Sequence, residues 1–547
     1  MTHLVNDLDS VVTEAVDALV RSADGRLTRL DGYPDVKVVV RRERRADRVA
    51  LVSGGGAGHE PAHAGFVGEG LLTAAVCGEI FASPSVDAVL AAIMAVTGDA
   101  GCLVIVKNYT GDRLAFGLAA ERARALGRRV EVVTVADDVA LPDAAQPRGL
   151  AGTLFVHKVA GALAESGAPL QEVAEAARRV AASVRTLGVS LSPVSIPGRP
   201  SPDRMATGTA ELGLGIHGEP GATTVAVGTS SALVGRMAAT LSRALPAGPV
   251  ALLVNDLGGM AALELGVVLR DLLDTELGAR AELVVGPTAG MTSLSAQGFS
   301  LSALPLDDAT RGALLAPVAG HTAWAGAHRT GPLRPEPLPD RDVAPPPPSD
   351  NAAVRALLTA VCTGLVDARE RLDALDARVG DGDTGTTFAT AARRLLDRLD
   401  HLPLDDTPEL LTTVSAVLAT SMGGSSGVLG AIFFAAAGRA AAAGHPPAES
   451  LHAGLLAMQR DGGAAVGDRT MVDALAPALD ALRGGGTLAE AADAAERGAA
   501  ATAAMAAARA GRSAYVPGEH LLEVEDPGAA AIAAAFRAAA GSRAVVA

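Results

Sequence analysis

The sequence predicts a chain of two unlike parts: an α/β domain made of two α/β subdomains, joined by a Pro-rich linker to an all-α domain. Three observations predict it. Strand-like runs alternate with helical patterns up to about residue 330, as layered α/β folds require. Residues Gly331–Asp350 then carry eight prolines in twenty positions, including Pro345–Pro348. Beyond them the pattern changes to Ala-rich helical spacing with glycine turns and almost no β-branched alternation.

In chain order, RVALVSGGG (48–56) reads as a strand ending in glycine, VDAVLAAIMAV (86–96) as helix, and CLVIVKNYTGD (102–112) as strand running into loop. GLAAERARALG (117–127) follows as helix and VEVVTV (130–135) as strand, an alternation that implies parallel pairing. VALLVNDLGG (250–259) and AELVVGP (281–287) repeat the theme, so subdomains are expected at about 1–190 and 191–330. The segment 331–350 lacks donors and apolar mass and reads as a stiff, polyproline-like spacer. From Asn351 to Leu375 apolar residues recur at helical spacing behind a Ser349/Asp350 cap, opening an all-helical domain over 351–547. Alanine clusters such as Ala435–Ala437 and Ala440–Ala443 read as tight helix contacts.

Composition bounds the function. With 547 residues, 49% hydrophobic and 20% charged, the chain is globular and too long for one ordinary core. A formal charge of −15 and only 2% aromatics argue against a nucleic-acid partner. Cys77, Cys102 and Cys362 show neither zinc spacing nor a disulfide framework and read as small buried hydrophobes. The opening residues lack a basic stretch followed by an apolar core, and no run reaches the ~18 uninterrupted apolar residues of a membrane span. The expectation is a cytoplasmic protein without a membrane partner.

In the first part, SGGGAGHEP (53–61) leaves a strand, and its glycines let backbone N–H groups approach a small polar ligand. It is neither a Walker loop nor a dinucleotide fingerprint. KNYTGD (107–112) leaves the next strand, and parallel sheets place ligands at such carboxyl ends. GLGIHGEPG (213–221) sets His217 among glycines, where a neutral imidazole is accessible as a nucleophile. Each has a plain structural alternative: His59 a turn histidine, Lys107 a core-edge lysine, Asp112 a helix cap, His217 a solvated loop residue.

In the second part, LDARVGDGDTGTT (375–387) gathers Asp376, Asp381 and Asp383 within eight residues, at a helix end and in a glycine loop. Three carboxylates this close repel one another unless a cation lies among them, and Mg²⁺ with phosphate suits that donor set. The spacing does not fit a calcium loop, and an ordinary acidic loop seldom needs so much glycine. SMGGSSGVLG (421–430) offers glycines and hydroxyls as donors to phosphate oxygens, and GDRTMVD (467–473) and EDPGAAA (525–531) add polar loops between helices, with ordinary helix–helix turns as their plain alternative.

Taken together, SGGGAGHEP, GEIFASPS (78–85), KNYTGD and GLGIHGEPG resemble the substrate half of the dihydroxyacetone kinases, and the four later motifs resemble that family's nucleotide domain. The resemblance implies that His217 adds covalently to a ketone carbonyl as a hemiaminal, which would explain selection against glycerol. It implies that Asp112 acts as base, that His59 shares proton handling, and that Lys107 with the backbone at Gly56, Ala57 and Gly58 holds substrate oxygens. For the second part it implies an all-α helical-barrel domain binding ATP and two Mg²⁺, with Asp376, Asp381 and Asp383 as metal ligands. Thr384, Thr387, Gly423, Ser425, Ser426, Met471, Arg512 and Asp526 would contact nucleotide. Two departures, Thr384 after the metal motif and Arg469 before Thr-Met, fit the fused, ATP-exchanging branch rather than the phosphoprotein-fed one. The expected activity is ATP-dependent phosphorylation of dihydroxyacetone by a homodimer. Its rivals are a kinase for another short ketose such as erythrulose, an FAD-cyclising lyase, and a non-catalytic regulatory binder.

Overall fold

The structure, a computed structural model, describes residues 3–141, 144–200, 204–320, 322–339 and 345–542. The chain divides into two compact units, Met1–Glu336 and Pro337–Ala547.

The first unit holds two sheets. The first sheet has β1 (Leu27–Arg29), β2 (Val38–Arg41), β3 (Ala50–Ala57), β4 (Ala74–Ile80), β5 (Cys102–Lys107) and β6 (Val130–Val135), in the order β1-β2-β4-β3-β5-β6. Strands β4, β3, β5 and β6 are parallel, and β1 and β2 add an antiparallel edge. The predicted helix 86–96 and strand 130–135 appear with those bounds, whereas the helix expected at 117–127 begins earlier and spans Thr110–Ala125. Its longer start puts Asp112 in the first turn, where a carboxylate is favoured by the helix dipole.

The second sheet has β7 (Arg185–Ser190), β8 (Thr209–Leu212), β9 (Thr223–Ala226), β10 (Val250–Asp256), β11 (Ala281–Thr288), β12 (Gly298–Pro305) and β13 (Ala327–Arg329), in the order β13-β11-β10-β12-β7-β8-β9. The two strands the sequence named here, β10 and β11, are parallel, while the other ladders, formed with strands it did not name, are antiparallel. The reason is connection length, since the stretch from β11 to β12 has no helix and is too short for a parallel crossover. β7, which ends at residue 190, belongs to the second sheet.

Alternation along the buried strands explains how the layers stack. Leu51, Leu103 and Ile105 point to a core shared with helices Thr153–Ser166 and Leu170–Ser183, and Leu253 and Val285 of the second sheet enter the same core. Ala50, Val52, Cys102 and Val104 face the other way, onto helices Val86–Val96 and Thr110–Ala125. The far face of the second sheet buries Leu252 and Val254 against Ser230–Arg243 and Ala262–Leu273. Strands covered on both faces read as continuous apolar runs, which is why they were visible in the sequence.

The second unit is helical: Ala352–Asp367, Arg369–Val379, Thr384–Asp397, Thr407–Ser421, Gly424–Ala442, Pro447–Gly462, Val472–Arg483, Leu488–Thr502, Gly518–Leu521 and Pro527–Ala540. The helix expected across 351–375 is two helices, and its cap is Asn351, which accepts from the Val354 amide, rather than Ser349 or Asp350. Ala474, Ala478, Ala491, Ala495, Ala499, Ala529 and Ala533 form one buried cluster, the close contact that small side chains permit. Of the alanine runs singled out above, Ala436 and Ala437 are buried while Ala442 and Ala443 are exposed at the helix end. Among the described residues one helix, Gly424–Ala442, is long and apolar enough by length and composition to cross a membrane; it packs against Thr407–Ser421 and Pro447–Gly462. Cys102 and Cys362 are buried as expected, whereas Cys77 is half-buried.

Candidate active site

In the first unit the three motifs meet. The SGGGAGHEP loop leaves the carboxyl end of β3 and is held against the second sheet by Leu294 N–H donating to Gly58 O (2.7 Å) and Thr292 N–H to His59 O (3.2 Å). The β8–β9 connection carries His217, and Ser293 Oγ donates to Ile216 O (2.8 Å) to fix it. The site is therefore built from both sheets at once.

His59 is fully buried, and its Nδ1 lies 2.9 Å from the Thr292 carbonyl. A carbonyl only accepts, so Nδ1 carries the proton and Nε2 presents a bare lone pair. That Nε2 is buried without a hydrogen-bond partner. Burial first, then the charge of Lys107, hold His59 well below the usual histidine range, so it is neutral. A neutral acceptor with no protein donor suits a ligand hydroxyl.

His217 is one-fifth exposed at its side chain, with ring contacts to His59 (4.9 Å between centroids), Phe81 (5.4 Å) and Tyr109 (4.3 Å). Its Nδ1 lies 3.5 Å from Glu219 Oε1, and Glu219 Oε2 accepts from the His217 amide at 3.0 Å. Burial alone would raise Glu219; its bonds to His217 reverse this and hold it at about 2. An anion at Nδ1 keeps the proton there and frees Nε2 for attack. Glu219 was missed by sequence reasoning, although it stands two residues after His217 in a quoted motif. Phe81, from GEIFASPS, adopts φ 55°, a left-handed conformation unfavourable for a bulky side chain, and its ring lies against both histidines.

Lys107 and Asp112 are buried beside Gly55. Lys107 Nζ stands 3.7 Å from Asp112 Oδ2, and Asp112 Oδ1 accepts from Ser83 Oγ at 2.5 Å. A Cβ at Gly55 would fall 2.5 Å from Lys107 Nζ, so only glycine leaves the ammonium its place. Burial lowers Lys107 and Asp112 opposes that shift. Of the backbone expected to hold substrate, Gly58 N–H already donates to Glu60 Oε2 (2.8 Å) and Ala57 O accepts from Phe81 (2.9 Å). Gly56 lies where the β3–β4 register shifts.

In the second unit, carboxylate oxygens of Asp376, Asp381 and Asp383 all lie within 4.8 Å of one another. Asp376 is buried and its Oδ2 accepts from the Asp383 (2.9 Å) and Thr384 (3.2 Å) amides, which locks the loop. Thr384 opens a helix, Thr387 N–H donates to Asp383 O, and Thr386, not singled out before, is held by Asp373. Gly423 caps the helix Gly424–Ala442, with Ser425 exposed and Ser426 half-buried in its first turn. Met471 caps Val472–Arg483, and Asp526 caps Pro527–Ala540 through the Ala529 amide (2.8 Å). Burial raises Asp526 to about 6. Arg512 opens a 3-10 turn, and its side chain lies outside the described residues.

All four motifs thus stand at helix N-termini. Gly462 lies against Leu429, Gly454 against Phe433, and Arg483 reaches back to Glu449, so the helices starting at Gly424 and Val472 both run antiparallel to Pro447–Gly462 and share a direction. A Cβ at Gly528 would lie 3.3 Å from Met471 Cβ, which brings the fourth start alongside. Arg371–Glu525 (2.6 Å) and the Val379, Leu521 and Val524 cluster join that region to the aspartate loop. Three converging carboxylates beside four positive helix ends fit a divalent cation and polyphosphate.

Residues 20–322 match the model of the Dak1 domain and residues 378–541 that of the DAK2 domain. The chain is 46% identical to a dihydroxyacetone kinase of Citrobacter freundii, covering 99% of this chain and 98% of that one. It is 41% identical to the triokinase/FMN cyclase of Homo sapiens, covering 98% of each. The crystal structure of the dihydroxyacetone kinase from C. freundii in complex with AMP-PNP and Mg²⁺ superposes with a TM-score of 0.70 at 43% identity, covering 98% of this chain and 99% of that one.

Proposed function

We propose, for a chain that belongs to the Dak1–DAK2 family of dihydroxyacetone kinases, that it transfers the γ-phosphoryl group of ATP to dihydroxyacetone. The observation that carries this reading is the pairing of His217 with Glu219 against the unpartnered His59 Nε2, Lys107 and Asp112. Binding glycerol-like hydroxyls alone would need no such nucleophile.

His217 Nε2 forms a bond to the ketone carbon, the carbonyl π pair moves to oxygen, and that oxygen takes a proton from solvent, which reaches the partly exposed ring. Glu219 holds the Nδ1 proton and balances the charge this creates on the ring. Asp112 accepts the proton of the terminal hydroxyl, with His59 as its neighbour in proton handling. The freed oxygen attacks phosphorus as the bond to ADP breaks. Lys107 faces the substrate oxygens. Magnesium, held by Asp376, Asp381 and Asp383, would neutralise charge on the transferring phosphate. The helix starts at Thr384, Gly424, Val472 and Pro527 would hold the remaining phosphate oxygens. Similarity to the Mg²⁺ and AMP-PNP complex of the C. freundii kinase supports this assignment.

Single-turnover mixing of the full chain with γ-labelled ATP, Mg²⁺ and dihydroxyacetone tests it. Label on the ketose within one turnover is expected, and absence of transfer from ATP would sink the reading. The name triokinase/FMN cyclase, borne by the human relative, favours one further activity: cyclisation of FAD at the same nucleotide end. FAD with Mn²⁺, run beside a panel of short ketoses with ATP, separates the two.

A further inference from the structure

Behind Lys107 lies a polar chain that the proposed reaction does not use. Lys107 Nζ is 2.9 Å from His63 Nε2, and His63 Nδ1 is 3.0 Å from His157 Nε2. Ser53 Oγ stands 3.5 Å from the same Nδ1 while donating to Ile105 O at 2.8 Å. Lys107, His157 and Ser53 are wholly buried, and His63 is nearly so. Such groups are seldom placed in a core, because each carries a desolvation penalty unless hydrogen-bonded.

The chain has a direction. An ammonium only donates, so His63 Nε2 accepts and its Nδ1 carries a proton. That proton goes to His157 Nε2, leaving His157 with a proton on Nδ1, an atom without a partner. Burial, followed by the charge on Lys107, holds both rings in their neutral form, His157 down to about 3. Of the three ammonium protons, one is thus taken by His63 and one faces the Gly54 carbonyl at 3.5 Å. The third is left for the side where Asp112 Oδ2 stands at 3.7 Å, beyond hydrogen-bond length and beside Gly55.

We propose that His63, itself oriented by His157, is a positioning residue that keeps Lys107 an ammonium and directs its remaining proton at a substrate oxygen. The inference rests on Lys107 contacting the ketose. The charged or titratable groups facing Lys107 are Asp112, His59 and His63, with His157 behind.

The test is a comparison of His63→Leu, His63→Gln, His157→Leu and Lys107→Met in the full chain, with ketone KM, kcat, pH profile and thermal midpoint measured for each. His63→Leu removes the acceptor at similar volume and should raise ketone KM about ten- to a hundred-fold, the loss typical of a hydrogen bond to a charged group. Its alkaline limb of kcat/KM should move down by about one pH unit or more. His63→Gln offers Oε1 near the place of Nε2 and should restore most of both. His157→Leu should shift the limb in the same direction by less. A folded His63→Leu with parental KM and profile overturns the proposal. If His63→Leu does not fold, His157→Leu decides: a parental pH profile in that folded variant overturns the proposal equally. An unchanged ketone KM in Lys107→Met would instead remove the premise, and is distinguishable because it leaves the effect of His63 unexplained.

Discussion

The two candidate sites solve one electrostatic problem in opposite ways. In the first unit His59, Lys107 and Asp112 are buried and held by protein atoms: the Thr292 carbonyl, His63 and Ser83. In the second unit Asp376 is buried, while Asp381 and Asp383 stand exposed within reach of it and of each other. The first site is organised before any ligand arrives. The second gathers like charges in a donor set that would suit the proposed cation. A small neutral ketose offers little binding energy, so its site must be built in advance; a polyphosphate with its metal brings its own charges.

The largest expected effect is on the second site alone. Asp381→Asn should lower Mg·ATP turnover on the order of 10³-fold, the scale of lost metal-assisted charge stabilisation, while ketose binding by calorimetry stays parental. Next, His217→Ala should weaken dihydroxyacetone binding and remove its preference over glycerol, with nucleotide binding unchanged. Retained ketone selectivity would end the covalent-capture mechanism. If either substitution disabled both sites equally, the contrast drawn here would be wrong.

Acid should separate the units more gently. His59, His63 and His157 are all held below the ordinary histidine value by burial, so the folded first unit binds fewer protons than the unfolded chain. Their contribution to stability is complete above about pH 6.5 and is lost as pH falls, on the order of 1 kcal/mol per pH unit for each. Asp137, raised to about 6 by burial, offsets part of this. In the second unit Asp526 has the opposite sign: raised to about 6, it favours the fold below its unfolded value and loses that favour as pH rises through 6. Melting at pH 7 and pH 5 should therefore lower the first unit's midpoint relative to the second. Trp324 is the single tryptophan and lies in the first unit, so its fluorescence follows that transition alone. Smallest of all, Arg371→Gln breaks a largely exposed pair with Glu525 and should cost less than about 1 kcal/mol by denaturant melting.

The same contrast governs what was legible in the sequence. The aspartate cluster could be read directly, because its three carboxylates lie within eight residues, at a helix end and in the loop that follows, and their meaning is local. Helix 86–96 and strand 130–135 were equally local, each bounded by turn residues. The ketone site was readable only as separate motifs, since His59 and Thr292 meet across 233 positions and His63 and His157 across 94. Antiparallel pairing in the second sheet escaped for the same reason, as β12 joins β7 and β10 from distant parts of the chain. Glu219 is different. Its carboxylate two residues beyond a glycine-flanked histidine was a signal, and asking what holds the Nδ1 proton would have found it.

The tautomer of His59 bears on how the proposed enzyme lets go. Because Nδ1–H is committed to the Thr292 carbonyl, Nε2 can only accept. A substrate hydroxyl satisfies it by donating. If that hydroxyl is the one that yields its hydrogen to Asp112 on phosphorylation, the ester oxygen has none to give and confronts a lone pair in a buried space. The atom that welcomes the reactant thus disfavours the ester, and product inhibition at the ketose site should be weak.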